Sequence, residues 1–212
     1  MATSAEKDAL RRASDTLQLA LTETQVDALL LYADLLRKWQ KAFNLVGPDT
    51  IPQLVDRHLV DALQVVPIVP RGTSVLDMGA GAGLPSIPLA IVTDCSVVAV
   101  ERVGKKNQFM AHVRRELGLV NFKNIEDDVR HVEGSFDVVT ARAFASLDEL
   151  LGYAEHVSRP DTLYIFPKGE RYSDEILSAA KNWRMTIDTI KSITSPQGVI
   201  LRIKNVSRGT SA

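Results

Sequence analysis

The chain has one cysteine among its 212 residues, Cys95. Neither an internal disulfide nor a cysteine-based zinc site can form, and the thiol sits in the linker before a strand, where it is structural or incidental. No apolar run approaches the length of a membrane span. The opening Met1-Ala2-Thr3-Ser4-Ala5-Glu6-Lys7-Asp8 lacks the basic start and apolar stretch of a secretory signal, so a cytoplasmic protein is expected. Positive charge is not in excess either: 25 Lys and Arg against 26 Asp and Glu leave a net charge of −1. That argues against a protein held on nucleic acid chiefly by a basic field. It does not exclude RNA, because the bases are grouped at Arg57/His58, Lys105/Lys106, Arg114/Arg115, Lys168/Arg171 and Arg202, Lys204, Arg208. Each group reads as part of a one-sided patch or as ordinary solvated side chains. Internal repeats and low-complexity segments are lacking.

What is present suffices for one main domain with an appendage, since 45% of the residues are hydrophobic. Residues 1–70 read as a helical extension with a polar, fraying start. Thr22-Glu23-Thr24-Gln25 has the form of a capping box, and Val26, Leu29, Leu30, Ala33 and Leu36 follow at helical spacing, giving a helix to about Ala42. Asp49 is placed to cap a helix over 50–66 that carries Pro52 in its first turn and Leu54, Val55, His58, Leu59 and Ala62 on one face. From Ser74 the pattern alternates. Strands are expected at 74–78, 96–101, 121–126, 136–141, 162–167, 186–193 and 199–204, with helices near 85–92, 104–117, 146–157 and 172–182. This implies a parallel α/β sheet, Rossmann-like, spanning residues 71–206 and followed by a tail at 207–212. Only Thr194-Ser195-Pro196-Gln197-Gly198 joins the last two strands, so they form an antiparallel hairpin, as in class I methyltransferases.

The first strand runs into Asp77-Met78-Gly79-Ala80-Gly81-Ala82-Gly83-Leu84-Pro85. A glycine-rich turn between strand and helix is a nucleotide-cofactor loop, or else a plain turn. Leu84 or Ser86 falls where the third glycine of a dinucleotide fingerprint should be, which disfavours NAD. A carboxylate at Asp77 would repel a pyrophosphate and suit a cationic cofactor, and S-adenosylmethionine is one. Asp77, Gly79, Gly81, Gly83 and Leu84 are therefore candidate cofactor residues. Glu101 ends the second strand, 22 residues beyond Gly79, where a carboxylate accepts both ribose hydroxyls; the plainer reading is a surface glutamate paired with Arg102 or Lys105.

After the fourth strand comes Thr140-Ala141-Arg142-Ala143-Phe144-Ala145. It lacks the Asn/Asp-Pro-Pro-aromatic motif typical of exocyclic-amine methylation and the cysteine of pyrimidine C5 methylation. A nucleophile carrying no proton, such as guanine N7, fits best. Arg142 is a two-pronged oxyanion clamp or a structural ion pair. Arg57 and Asp61 read as an i,i+4 surface pair, and His58 as a core histidine or a catalyst.

These residues resemble one family, the bacterial small-subunit (16S) ribosomal RNA guanine-N7 methyltransferases, also called the glucose-inhibited division protein B family. The resemblance is carried by Lys38-Trp39-Gln40-Lys41 with Asn44-Leu45-Val46, by Arg57-His58-Leu59-Val60-Asp61-Ala62-Leu63, and by Val75 to Pro85. Gly104-Lys105-Lys106, Thr140 to Ala145 and Lys168-Gly169 match as well. It implies that Gly79 and Leu84 line S-adenosylmethionine, that Glu101 takes the ribose, that Arg142 and His58 belong to the reacting pocket, and that the target is a guanine in the 530 loop of 16S rRNA. Arg57, Lys105, Lys106 and Lys168 are the implied RNA contacts. A monomer acting on the 16S RNA or small-subunit particle, with no metal and no membrane partner, is expected. The chain departs from the family at Asp127-Asp128-Val129-Arg130-His131, where Val129 and Arg130 take the adenine-side role, and at Pro85-Ser86-Ile87-Pro88, where the family usually has a glycine second. A small-molecule methyltransferase, or a non-catalytic RNA-binding assembly factor, is the alternative on the same fold.

Overall fold

The structure, a computed structural model, describes residues 3–209. Helices α1 (Ser4–Leu17) and α2 (Glu23–Gln40) each begin at a capping box, Thr3 with Glu6 and Thr22 with Gln25. The box at Thr3 and the burial of Ala9, Leu10 and Ala13 hold α1 in helix, where fraying was expected.

Residues 48–63 correct the expected single helix. Pro48–Gln53 is a 3₁₀ turn containing Pro52, Val55–Val60 is wound as a π-helix, and only Asp61–Leu63 (α3) is α-helical. Asp49 makes no cap; the turn starts at Gly47, whose carbonyl accepts Thr50 Oγ1–H at 2.6 Å. Proline inside a helix removes a backbone donor and crowds the preceding turn, which accounts for the irregular start. Leu54, Val55, Leu59 and Ala62 are buried as expected.

Seven strands form one sheet among the described residues: β1 (Ser74–Met78), β2 (Ser96–Val100), β3 (Phe122–Ile125), β4 (Phe136–Thr140), β5 (Ser158–Lys168), β6 (Trp183–Lys191) and β7 (Val199–Arg208). Their order is β3-β2-β1-β4-β5-β7-β6. The first five are parallel, and β7 inserts antiparallel between β5 and β6. Helices α4 (Ser86–Val92), α5 (Gly104–Leu117), α6 (Leu147–Ala154) and α7 (Tyr172–Ala179) connect them. β7 runs past the expected boundary: Ser207 and Arg208 belong to it, and Arg208 pairs with Glu155 at 2.7 Å while covering the Trp183 ring. Of the rest of the expected tail, Gly209 donates its N–H to Asn182 O at 2.8 Å, and 210–212 lie outside the described residues.

Side chains alternate across a strand, so each face of the sheet carries its own core. Val75, Val97, Ala99, Val138 and Ile165 pack with α1, α2, α4 and α5; Leu76, Met78, Val139 and Phe166 pack with α6 and α7. The N-terminal helices thus cover one face of the sheet. Strand order reverses between β1 and β4, and the crevice at their C-terminal ends is where an open α/β sheet places its ligand.

Candidate active site

The loop after β1 turns on three glycines with left-handed backbone, Gly79 (φ 64°), Gly81 (φ 60°) and Gly83 (φ 85°), a region costly for any residue with a Cβ. Tyr32 of α2, fully buried, donates its hydroxyl to the Ala82 carbonyl at 2.8 Å, so the N-terminal helices hold the loop from below. Asp77 shares the Val75 face of β1. It points beneath α4, is wholly buried and accepts the Ser86 N–H at 3.2 Å. Burial pushes its carboxyl up to about 7. Asp77 is not among the residues lining the two cavities described below, the period-2 alternation setting it on the Val75 face. Ser86 is buried on the same hidden side, so the departure from glycine there lies behind the crevice. Gly81, Gly83 and Leu84 also shape the loop without lining a cavity, Leu84 lying in the core.

Glu101 is not a surface glutamate. Only 7% exposed, its carboxylate accepts Gly81 N–H at 2.9 Å and Val103 N–H at 2.8 Å. Two backbone bonds fix a group with about four acceptor sites, leaving lone pairs for further donors. It borders a cavity of about 430 Å³ with Gly79, Val100, Val129 and Arg130. Val129 is buried, whereas Arg130 is exposed and paired bidentately with Asp128 at 2.8 and 2.7 Å. A carboxylate with spare acceptors beside an apolar wall and Gly79, which has no Cβ, fits a nucleoside.

A larger cavity of about 1030 Å³ opens on the other side, lined by Arg57, His58, Asp61, Arg142 and Lys168 among others. Asp61 does not pair with Arg57. In a segment wound i→i+5, residues four apart no longer stack, and Asp61 Oδ2 instead accepts Arg142 Nη1–H at 3.0 Å. Its Oδ1 accepts Thr194 Oγ1–H at 2.6 Å and Gln64 Nε2–H at 3.0 Å. Arg142 Nη2 lies 3.2 Å from His58 Nδ1, and His58 Nε2 lies 2.7 Å from Thr50 Oγ1. Since arginine only donates, Nδ1 is the acceptor; Nε2–H then donates to Thr50, whose own proton goes to Gly47 O. Burial, with the nearby guanidinium second, pushes the His58 imidazole down to about 4, so it is neutral at pH 7. Both nitrogens are committed. His58 holds Arg142 rather than serving as a base, and that geometry tells against its catalytic reading.

Lys168 is corrected as well. Its ammonium donates to Ala145 O at 2.8 Å and to Glu175 Oε2 at 2.7 Å, with the side chain 8% exposed. It anchors the loop after β4 and is not a free cation for RNA. Arg57 is exposed on the large cavity. Lys105 and Lys106 diverge: Lys105 lies over the Phe43 ring at 5.0 Å, and Lys106 borders the smaller cavity.

The family model described as rRNA small subunit methyltransferase G (GidB) matches residues 25–202. The chain belongs to this family. The ribosomal RNA small subunit methyltransferase G of Paramagnetospirillum magneticum is 40% identical over 190 residues, covering 87% of this chain and 90% of that protein. Among solved structures, the ribosomal protein L11 methylase of Lactobacillus delbrueckii subsp. bulgaricus superposes with a TM-score of 0.59 at 17% identity, covering 70% and 78% of the two chains. A SAM-dependent methyltransferase of Aquifex aeolicus gives 0.57 at 14% identity, covering 78% and 97%. Those two likenesses concern the fold, which is that of class I methyltransferases. This family member is an rRNA methyltransferase with S-adenosylmethionine as cofactor.

Four residues of the candidate site have partners that local sequence does not specify. Asp61 stands four residues after Arg57, yet Arg142 holds it. Gln64 stands in the apolar run Ala62-Leu63-Gln64-Val65-Val66, and a polar residue buried in such a run signals a partner; its Oε1 accepts Ile193 N–H at 2.7 Å. Thr194 sits in what read as a plain hairpin turn, and nothing in the sequence marks Tyr32.

Proposed function

We propose that this enzyme transfers a methyl group to N7 of a guanine in the 530 loop of 16S ribosomal RNA, by in-line attack without a general base. The observation that carries the reading is the state of the two groups beside Arg142 that could take a proton. His58 is neutral with both nitrogens bonded, and both Asp61 oxygens accept bonds. A lone pair lying in the plane of the base needs no deprotonation, so positioning and desolvation suffice; holding the reactants in line supplies about 7–11 kcal/mol. S-adenosylmethionine supplies an electrophilic methyl on sulfur when bound. Glu101 would hold the ribose hydroxyls, Val129 and Arg130 the adenine side, and the loop at Gly79 the rest of the cofactor. Arg142, with three N–H groups beyond those given to Asp61 and His58, would bind an oxyanion of the RNA. Arg57, Lys105 and Lys106 would meet phosphates. The helices before residue 70 would act as a support for the cofactor loop and Arg142.

The test is to incubate purified protein with labelled S-adenosylmethionine and unmodified 16S rRNA or small subunits, then map the product. N7 methylation makes the guanine ring cationic and sensitive to reductive strand scission. A label at one guanine with that sensitivity is expected. Methylation of an exocyclic amine, or of a free nucleoside in preference to rRNA, would overturn the reading.

A further inference from the structure

Phe144 lies between the two cavities in a manner the reaction has to undo. Its ring rests against Cα of Gly79, so closely that a Cβ built on Gly79 would stand 2.6 Å from Phe144 Cγ. The smaller cavity, with Glu101, and the larger, with Arg142, share Ala143, Phe144 and Ala145 as their common wall among the described residues. A methyl group passing from a cofactor beside Glu101 to a base beside Arg142 must cross that wall. The ring is poorly tethered for a large apolar group: it is 39% exposed and touches Tyr153, with ring centres 5.6 Å apart.

The chain on both sides is fixed. Arg142 is held by Asp61 and His58; beyond Phe144, Lys168 holds the Ala145 carbonyl, Ser146 caps α6, and Glu175 accepts Leu147 N–H at 2.8 Å. Between these anchors Ala143 has φ 52°, a left-handed conformation that an L residue with a Cβ adopts at an energetic cost. A compensated change of the dihedrals at Ala143 and Phe144, with the two anchors kept in place, would relieve that strain and move the Phe144 ring away from Gly79.

We propose that Phe144 is a displaceable positioning residue that closes the path from cofactor to acceptor, and that its ring and the sulfur end of the cofactor compete for the place over Gly79. This rests on the reading that the cofactor lies along the loop after β1 with its ribose on Glu101. The competition means that part of the cofactor's binding energy goes into moving the ring, so removing the ring strengthens cofactor binding.

The test is titration calorimetry with S-adenosylhomocysteine on the full chain, comparing the wild type with Phe144→Ala, Phe144→Leu and Glu101→Ala, and with Glu101→Ala combined with Phe144→Ala. Phe144→Ala is expected to bind about tenfold more tightly, equal to about 1.4 kcal/mol, with Phe144→Leu in between. Unchanged or weaker binding in both Phe144 variants overturns the proposal. Loss of affinity on Glu101→Ala in both backgrounds shows that the cofactor reading stands even where the gate fails. Unaltered affinity on Glu101→Ala removes that reading and the proposal with it.

Discussion

The ion pair between Asp61 and Arg142 joins segments 81 residues apart in sequence, and its energy can be worked out from the geometry. Their side chains are 21% and 18% exposed, so the pair is neither free in water nor fully dry. Removing one partner of a buried pair costs about 3–5 kcal/mol because the other charge is stranded, whereas an exposed pair contributes about 0–1. With about a fifth of each side chain open to water, Asp61→Ala should destabilise the fold by about 2–3 kcal/mol. Some of that loss belongs to the Thr194 and Gln64 bonds, so the single variant overstates the pair. A double-mutant cycle separates the two contributions: Asp61→Ala, Arg142→Met and the double variant, each followed by urea unfolding with the slope checked for constancy. A coupling of about 1–2 kcal/mol is expected. A coupling within about 0.3 kcal/mol of zero would mean that water screens the pair as on any surface, and the account of Arg142 as a fixed clamp would have to be given up.

Tyr32→Phe strands the buried Ala82 carbonyl and should cost about 1–3 kcal/mol in stability while weakening cofactor binding, as thermal melts and calorimetry would show. His58 has a folded pKa depressed to about 4 against an unfolded value near 6.5, so the unfolded chain binds more protons between those limits and stability falls as pH drops through that window; in His58→Gln that part of the acid sensitivity should disappear. Asp77 has the opposite sign: its folded pKa is raised to about 7, so its burial burdens the fold increasingly as pH rises from about 4 to 7, and Asp77→Asn should melt higher than the wild type at pH 8 with no such gain at pH 4. Lys105→Ala should lower the salt slope of RNA binding by about 1, whereas Lys168→Met should destabilise the fold and leave the slope unchanged.

The α/β alternation was legible because strand and helix periods differ and each parallel crossover needs a helix, so β1 to β5 and α4 to α7 fall close to their expected places. Glu101 and the glycine loop were legible for a related reason: the fold places function at strand ends, and those positions can be counted. Residues 48–63 were not. Their apolar spacing suits an α-helix, and the π turn found there accompanies tertiary bonds from His58 and Asp61 to Arg142, which no local pattern encodes. Lys168 misled for the opposite reason. A lysine after a strand reads as solvated until Glu175 and the Ala145 carbonyl, brought in by α7 and the loop after β4, enclose it.

The same contacts bear on the boundary near residue 70. If the N-terminal helices were a separate module resting on a finished sheet, their contacts with the catalytic end would be apolar and interchangeable. Instead α2 reaches the Ala82 carbonyl through Tyr32, and the segment after it holds Arg142 through Asp61 and His58 and the β6–β7 turn through Gln64. Each of these is a directional polar bond into a loop that follows a strand. Loops that follow strands carry the chemistry of this fold but are the segments the sheet itself constrains least. The N-terminal region supplies that constraint, tying the glycine loop and Arg142 to one rigid support, so that the distance between those two loops is fixed by packing against a common core.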